Sequence, residues 1–186
     1  ALRKFMADIG INVKAAVSGT FTIGGATPDY ATIAAAVADL NANGVCGPVV
    51  YKIRSGTYST NIELGAISGT SAVNTVTFQS ETGNKGDVTS TKAATSTTDN
   101  FVVKFNGAKY VTFKNLTMTA TNASYSTVVD ISGTSSDCTV ENCELVSTIG
   151  ASTSNYNAVV YSPSGTNQPN ITFRGCGIRN GAYGMY

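Results

Sequence analysis

The sequence predicts an all-β protein built as a coil of short stacked strands, a solenoid, with one α-helix near its N-terminus. Three observations predict this fold class. Segments of strand length alternate with clusters of Gly, Ser, Asn and Pro along most of the chain. One frame of residues recurs three times without gaps. A single Ala-rich stretch near residue 30 has apolar residues at helical spacing.

The recurring frame occupies residues 111–118, 138–145 and 171–178. Apolar residues hold its first, third, sixth and eighth positions, Thr holds the second, and Asn or Gly holds the fifth. A sharp corner needs a left-handed backbone, which Asn and Gly tolerate best, so each frame predicts a strand, a corner and a second strand. The strands predicted to precede each frame are residues 101–105, 127–131 and 158–162.

Equivalent positions of the frame are predicted to stack as interior columns, because one layer of such a coil cannot bury its inner face alone. The first-position column is Val111, Cys138 and Ile171, and the sixth-position column is Leu116, Cys143 and Cys176. The cysteines have two interpretations. They are small hydrophobic side chains that fill a narrow core, or Cys143 and Cys176 form a disulfide bond between successive layers.

The helical stretch is predicted to run over about residues 29–43 and to close the N-terminal end of the coil. Its apolar residues, spaced by three and four positions, are Tyr30, Ile33, Val37 and Leu40. Thr27 is a candidate N-cap, and Pro28 suits the first helical position. Gly44 is expected to end the helix, because glycine is common just past a helix C-terminus.

The chain is predicted to contain a separate N-terminal segment, residues 1–16, and a coil domain, residues 17–186. The segment is a candidate linker or docking element, because its apolar residues are helically spaced. These residues are Leu2, Phe5, Met6 and Ile9. After the last frame, residues 179–186 begin a further strand with no cap, so the domain is predicted to be C-terminally incomplete. Open strand edges invite pairing, so further coils of the same chain or a second copy are expected there.

Several segments match a known class of protein. Residues 171–181, Ile-Thr-Phe-Arg-Gly-Cys-Gly-Ile-Arg-Asn-Gly, resemble the repeat of right-handed parallel β-helix proteins, the pectin-lyase-like superfamily. Residues 30–64 look like its capping helix and first coil. Residues 19–25, a turn at residues 44–48, and residues 77–81 are similar to large secreted bacterial surface proteins that carry such a domain. The resemblance implies a right-handed parallel β-helix with an N-terminal capping α-helix, and an extracellular, cell-surface location.

Composition excludes several functions. Charged residues make up 12% of the 186 residues and the net charge is +1, so no electrostatic footprint for nucleic acid is present. No apolar run approaches the roughly 18 residues of a membrane-spanning helix, so membrane insertion is not expected. The absence of His excludes Ser-His-Asp triads, Cys-His pairs and His-ligated zinc. No cofactor or metal is predicted.

Acidic residues have two interpretations. The resemblance implies lyase, hydrolase or esterase activity on acidic polysaccharides, which in that superfamily uses clustered acidic residues with Arg. Such clusters are missing here. Glu141 and Glu144 lie close together but straddle a corner at Asn142, so they leave the coil on different faces. Glu141 and Arg174 either contact a polysaccharide or form, with Lys114, a ladder of ion pairs one layer apart.

The tyrosines of the last third favour a binding role, because aromatic faces pack against sugars and protein partners. The candidate contact residues are Tyr125, Tyr156, Tyr161 and Tyr183, together with Glu141 and Arg174. The sequence therefore predicts a non-catalytic extracellular structural or adhesion module of a larger surface protein or fibre, in contact with glycans. The alternative is a polysaccharide-active enzyme, a lyase, hydrolase or esterase, whose catalytic coils lie outside this piece.

Overall fold

The computed structural model describes residues 15–149 and 153–186. Strands dominate these residues, with one α-helix and one short 3-10 helix at Asn155–Asn157. In chain order the elements are β1 (Val17–Ile23), α1 (Ile33–Asn43), β2 (Val45–Ile53), β3 (Gly56–Ser59), β4 (Ile62–Leu64), β5 (Val76–Ser80), β6 (Val88–Lys92), β7 (Val103–Asn106), β8 (Val111–Lys114), β9 (Thr117–Ala120), β10 (Val129–Ser132), β11 (Thr139–Glu141), β12 (Glu144–Val146), β13 (Ala158–Tyr161), β14 (Thr172–Arg174), β15 (Gly177–Arg179) and β16 (Tyr183–Met185).

The strands form three parallel sheets around one interior. Sheet A has the order β1-β2-β5-β8-β11-β14, sheet B has β15-β12-β9-β6-β3, and sheet C has β16-β13-β10-β7-β4. From β2 onward, consecutive strands join sheets A, B and C in turn, which makes five coils. All the strand pairs are parallel, as stacked coils require. The predicted parallel β-helix is confirmed.

The register of the strands confirms the columns predicted from the frame. In sheet A, Thr139 pairs with Thr112 on one side and with Thr172 on the other. In sheet B, Leu145 pairs with Met118 and with Ile178 in the same way. The strands that precede each frame pair in sheet C. The backbone is left-handed at the three corners, which are Asn115 (φ 56°), Asn142 (φ 51°) and Gly175 (φ 63°).

The third-position column extends into two earlier coils that the repeat alignment did not include. Tyr51, Phe78 and Phe113 pair in register, and their rings stack with centroids 4.7 and 5.1 Å apart. All three side chains are fully buried. In these early coils the corner between sheets A and B is longer, so the frame is interrupted after its fourth position. The core therefore continues where the sequence repeat is lost.

The helix α1 begins at Ile33, and the predicted start near residue 29 is wrong. Thr32 is the N-cap, because its hydroxyl accepts a hydrogen bond from the Ala35 N–H at 3.1 Å. The residues before it are held on β1, where the Asp29 carboxylate accepts hydrogen bonds from the Thr22 N–H and hydroxyl. The predicted end is confirmed, since the Gly44 N–H donates to the Leu40 carbonyl at 2.9 Å.

The buried face of α1 lies on the first coil, where it contacts β1 and β4. Ile33, Val37 and Leu40 are buried, as the spacing predicts. The helix covers the N-terminal end of the stack and shields the apolar interior of the first coil from water. The predicted capping role of α1 is confirmed.

The turn predicted at residues 44–48 is wrong, because β2 runs through Val45–Ile53. Its pairing with β1 is irregular there: Val17 pairs with Val45, whereas Gly19 pairs with Val49. The extra residues, which include Gly47 and Pro48, form a β-bulge. Pro suits a bulge since it has no N–H to donate to a neighbouring strand.

The four cysteines are free thiols, so the disulfide alternative is not formed. Cys138 and Cys143 are fully buried, and Cys176 is half-buried in the last coil. Burial raises the pKa of the Cys143 thiol to about 12 and that of Cys138 to about 11. They therefore pack as small hydrophobic side chains, as the first interpretation states.

The C-terminal coil presents an apolar groove of about 380 Å³ beside the free edges of its strands. The groove is lined by Ile131, Val160, Ser162, Gln168, Ile171, Phe173, Met185 and Tyr186. The predicted cover, further coils or a second copy, stays a prediction. The predicted docking role of residues 1–16 falls almost wholly outside the described residues. Within residues 15–149 and 153–186, no helix is long and apolar enough to cross a membrane.

Candidate saccharide-contact site

The outward fourth position of sheet A carries a ladder of ion pairs. The Glu141 carboxylate lies 3.4 Å from the Lys114 ammonium and 2.9 Å from the Arg174 guanidinium, one coil away on either side. The hydrogen bond from Arg174 is the main reason why the pKa of Glu141 is lowered. The ladder interpretation is confirmed, and Glu141 and Arg174 lie on sheet A, whereas Tyr161 and Tyr183 lie on sheet C and Tyr125 and Tyr156 lie outside the strands.

A second ladder, which the sequence analysis missed, runs along sheet B. The Glu144 carboxylate lies 2.6 Å from the Lys85 ammonium and 2.9 Å from the Arg179 guanidinium. Gly177 pairs with Glu144 in register, and a Cβ at this position would overlap the carboxylate. The missing side chain at Gly177 thus leaves the space that Glu144 occupies. Glu141 and Glu144 belong to different sheets, as predicted from the corner between them.

Every Asp and Glu that the structure describes has a polar or ionic partner. The pairs are Asp29 with Thr22, Asp39 with Tyr30, Glu63 with Asn106, Glu81 with Arg54, Asp87 with Asn84, Asp99 with Lys92, Asp130 with Ser132, Asp137 with Asn170, Glu141 with Arg174 and Glu144 with Arg179. Within the same residues, no group of three or more Cys, Asp and Glu side chains is placed to hold a metal ion.

Sheet C differs, because its outward column places a carboxylate beside aromatic rings. Asp130 of β10 pairs in register with Lys104 on one side and with Tyr161 on the other. The Tyr161 ring then stacks on that of Tyr186, with centroids 6.0 Å apart and planes 15° apart. After Asp130, the outward column of sheet C therefore continues with Tyr161 and Tyr186. On sheet A, the residue that follows Glu141 in the outward column is the cation Arg174.

Asp130 lies in a small surface cleft of about 60 Å³, here called the Asp130 cleft. It is lined by Thr97, Asn100, Thr127, Asp130, Asn155, Tyr156 and Tyr161. These residues come from the second, third and fourth coils and from the loops between them. The 3-10 helix at Asn155–Asn157 positions the Tyr156 ring at the rim, where 47% of this residue is exposed.

The buried Asn100 side chain fixes the wall of the cleft. Its amide nitrogen donates to the Thr127 hydroxyl at 3.1 Å and to the Tyr156 carbonyl at 2.9 Å. Its amide oxygen accepts from the Thr127 N–H at 3.0 Å. These bonds join the loops that precede three successive sheet C strands, so the cleft is held by the fold before any ligand arrives.

The electrostatics of Asp130 are the reverse of those of the ladder glutamates. Burial raises the pKa of Asp130, and the negative charge of Glu63 raises it further. The hydrogen bond from the Ser132 hydroxyl and the positive charge of Lys104 lower this pKa, but burial is the largest influence. The Lys104 ammonium lies over the Phe101 ring, 5.3 Å from its centroid, rather than in an ion pair with Asp130. Asp130 is thus a half-buried carboxylate whose charge is incompletely balanced.

The structure brings only part of the predicted contact set into this cleft. Tyr156 and Tyr161 line it, and Tyr125 lies behind Tyr156 with ring centroids 6.1 Å apart. The Tyr183 hydroxyl donates to the Thr153 carbonyl at 3.1 Å, and its ring contacts Tyr186, so Tyr183 flanks the Tyr161 stack. Asp130 was missed, although one signal was present: it is the acidic residue in the Val-Val-Asp-Ile strand.

Comparison with known proteins finds a likeness in overall architecture. Two solved structures of the pectin methylesterase from Aspergillus niger, in deglycosylated and penultimately deglycosylated form, match with 13% and 14% identity and a TM-score of 0.42 each. The matches cover 88% of this chain and 87% and 86% of those chains. No family model and no curated protein matches. No residue role is transferred at this distance, and the fold assignment rests on the strand pairing above.

Proposed function

We propose that this chain is a non-catalytic structural module of a larger extracellular surface protein, and that it contacts saccharide through the tyrosines around the Asp130 cleft. One observation carries the proposal: the polar groups are divided between the faces. Carboxylates on sheets A and B bond to cations of neighbouring coils, whereas sheet C presents partly exposed rings around one carboxylate.

The arrangement of carboxylates supports a non-catalytic role. Glycoside hydrolases ordinarily place two carboxyl groups on either side of the bond that breaks. Among the residues that line the Asp130 cleft, Asp130 is the only acidic one. Glu141 and Glu144 are close together in the sequence, but they lie on different sheets. Each forms ion pairs in its own ladder. Their contacts stabilise the stacking of coils.

The aromatic rings support a saccharide contact. Tyr156 and Tyr186 are 47% and 57% exposed, and Tyr161 lies between the cleft and Tyr186. A tyrosine ring offers an apolar face for the C–H groups of a sugar and a hydroxyl for its polar groups, with little side-chain entropy to lose. Tyr161 lies on β13, Tyr186 directly follows β16, and Tyr156 lies on the 3-10 helix at Asn155–Asn157.

One observation favours the alternative, a polysaccharide-active enzyme. Asp130 has a raised pKa and lies in a cleft, and a carboxyl group in such an environment suits general acid catalysis. This candidate function would require a second catalytic group from coils outside the chain. It predicts turnover that depends on Asp130, whereas the proposed function predicts none.

Affinity electrophoresis of the isolated chain in gels that contain neutral or acidic polysaccharides tests the contact. We expect at least one polysaccharide to retard the chain, and Tyr156→Ala and Tyr161→Ala to abolish the retardation. Glu141→Gln is the matched control on sheet A, and the polysaccharide should retard it as much as the parent when each is compared with its own mobility in a gel without polysaccharide. Absence of retardation in every gel overturns the saccharide contact. New reducing ends or released ester groups that Asp130→Asn abolishes overturn the non-catalytic role.

We also propose that a coil supplied by a second copy covers the C-terminal groove in the isolated chain. Support comes from the free edges of β14, β15 and β16 and from exposed apolar residues beside them, among which Met185 is 55% exposed. Sedimentation should show association that rises with concentration and falls in Met185→Lys. Val73→Lys is the control, because Val73 is 76% exposed away from this groove. A monomer at every concentration contradicts the proposal.

A further inference from the structure

We infer that the Asp130 cleft is a subsite for a neutral hexosyl residue, that it admits the hydroxymethyl group of the sugar, and that it rejects uronic acids. This inference rests on the proposed saccharide contact and narrows it to one class of sugar. Three properties of the cleft carry it: its volume, its free acceptor and its charge.

The volume of the cleft admits a substituent of a sugar but not the sugar ring itself. A cleft of about 60 Å³ is much smaller than the roughly 300–1,000 Å³ of pockets that enclose a whole small-molecule ligand. A pyranose ring does not fit in that space and must lie on the rim, against Tyr156 and Tyr161. The group that projects furthest from a neutral hexopyranose ring is the hydroxymethyl group on C5. This group is much smaller than the ring, and it carries a hydroxyl that can donate a hydrogen bond.

The hydrogen-bonding groups in the cleft leave an acceptor for that hydroxyl. The Ser132 hydroxyl donates to Asp130 Oδ1, and none of the described residues donates to Oδ2. The Asn100 amide is used by Thr127 and by the Tyr156 carbonyl. The Thr127 hydroxyl donates to the same carbonyl at 3.3 Å. Oδ2 of Asp130 therefore retains its capacity to accept a hydrogen bond, in a residue that lines the cleft.

The charge of the cleft separates neutral sugars from acidic ones. A hydroxyl that donates to a half-buried carboxylate forms a charge-assisted hydrogen bond. A ligand carboxylate would instead lie beside Asp130, and like charges in a partly buried site are unfavourable. Lys104 lies over Phe101, and Glu63 is the next charge along the column, so the neighbourhood offers no excess of positive charge. The raised pKa of Asp130 agrees with this geometry.

Three glycosides that differ only at C5 test the inference: methyl α-D-glucopyranoside, methyl α-D-xylopyranoside and methyl α-D-glucopyranosiduronate. They carry a hydroxymethyl group, a hydrogen and a carboxylate at that position. Methyl α-D-galactopyranoside and its uronate form a second pair. In ¹⁵N NMR titrations at neutral pH, we expect the amide shifts to centre on Asp130, Thr127 and Tyr161. The glucoside should bind at least about tenfold more tightly than the xyloside or the uronate, as expected when one polar group is matched or mismatched.

Variants test whether the charge of Asp130 causes the preference for the glucoside over the uronate, and whether the ring of Tyr161 contributes to binding. Asp130→Asn keeps the shape and removes the charge, so the gap between glucoside and uronate should shrink to about twofold. Tyr161→Ala should weaken both by about tenfold, the scale of one lost aromatic contact. Glu141→Gln, which alters an ion pair on sheet A outside the cleft, should change nothing. Each variant must retain the dispersed amide spectrum of the parent, which separates loss of binding from loss of fold.

Several results would overturn the subsite. These are a uronate that binds as tightly as the glucoside, a xyloside that does so, shifts centred elsewhere, or no shift with any of the five glycosides. Retention of the chain in polysaccharide gels distinguishes the two proposals. If gel retardation persists and depends on Tyr156 while the glycosides fail to bind the cleft, the saccharide contact stands and the subsite does not.

Discussion

Sheets A and C each carry an outward column of one side chain per coil, yet the two columns have opposite electrostatic character. On sheet A, Glu141 lies between Lys114 and Arg174 and bonds to both. On sheet C, Asp130 lies between Lys104 and Tyr161 and is bonded to neither. One carboxylate joins neighbouring coils, and the other has an oxygen, Oδ2, to which none of the described residues donates. The neighbours in register, more than the residue itself, decide which role an acidic side chain has.

The comparison extends to the pKa values. The pKa of Glu141 is lowered by its cationic neighbours, and the pKa of Asp130 is raised mainly by burial. Both residues face outward from short strands: Asp130 is the second residue of a four-residue strand, and Glu141 is the last residue of a three-residue strand. A carboxylate in a parallel stack is therefore best judged by the coil below and the coil above.

The largest expected effect on the free energy of unfolding comes from truncating a side chain in the interior, which sheets A and C share. Phe113→Ala should lower the free energy of unfolding by about 3–5 kcal/mol, because the ring is fully buried and packs against Phe78 and Phe105. Phe173→Ala in the half-covered last coil should cost about 1–2 kcal/mol, since less of its area is removed from water. Chemical denaturation measures both, and equal losses would contradict the idea that the last coil is only partly covered.

An intermediate effect is expected where the ladder on sheet B depends on a missing side chain. Gly177→Ala should cost about 1 kcal/mol, the low end of overpacking, because the new Cβ displaces the Glu144 carboxylate from Arg179. Gly86→Ala is the matched control, as its Cβ would make only ordinary contacts with Asn84.

The cause of that loss can be isolated with a double-mutant cycle. In a Glu144→Gln background the ion pairs with Lys85 and Arg179 are already weakened, so Gly177→Ala should cost less than in the parent. An undiminished cost would show that the alanine acts through steric overlap rather than through loss of the ion pairs.

The smallest effect on the free energy of unfolding comes from removing one carboxylate from either column. It is also the most informative effect, because its sign at neutral pH should differ between the two columns. The lowered pKa of Glu141 means that it stabilises the fold above its ordinary pKa of 4.5, and that this contribution is lost as the pH falls. Glu141→Gln should therefore cost about 0.5–1 kcal/mol at neutral pH, since the pair with Arg174 is largely solvent-screened, and little in acid.

Asp130 should behave in the opposite way. Its raised pKa means that the ionised form is disfavoured in the folded protein, so the penalty appears as the pH rises through that pKa. Asp130→Asn should stabilise the protein at neutral pH and converge with the parent at low pH. Denaturation curves from about pH 3 to pH 7 measure both variants, and the same sign for the two would remove the distinction between the columns.

The sequence predicted the stacking because the same short frame specifies a corner and its flanking apolar positions. Thr112, Thr139 and Thr172 could be aligned by eye, and they pair in the sheet. The helix start was wrong because Thr27 and Thr32 are both plausible caps, and only the docking of Asp29 on Thr22 selects the second. Local propensity does not contain that tertiary contact.

The candidate site was harder to predict, because it depends on contacts between distant parts of the chain. Lys85 reaches Glu144 across 59 residues, from a corner of the second coil that has no counterpart in the repeat. The Asp130 cleft needs Asn100, Thr127 and Tyr156 at one place, although the loops that deliver them differ in length. The tyrosines could be predicted as a group, whereas their division between cleft and flank could not.

The parallel stack also makes the distance between functional groups a discrete quantity. Each coil adds one strand to every sheet, at a spacing of roughly 4.8 Å, and its strands pair with those of the coils directly below and above it. Inserting or deleting a whole coil between α1 and the Asp130 cleft would therefore lengthen or shorten the molecule by a fixed step. The orientation of the cleft would change little, so the number of coils sets the distance of the cleft from α1 without changing the face on which it lies.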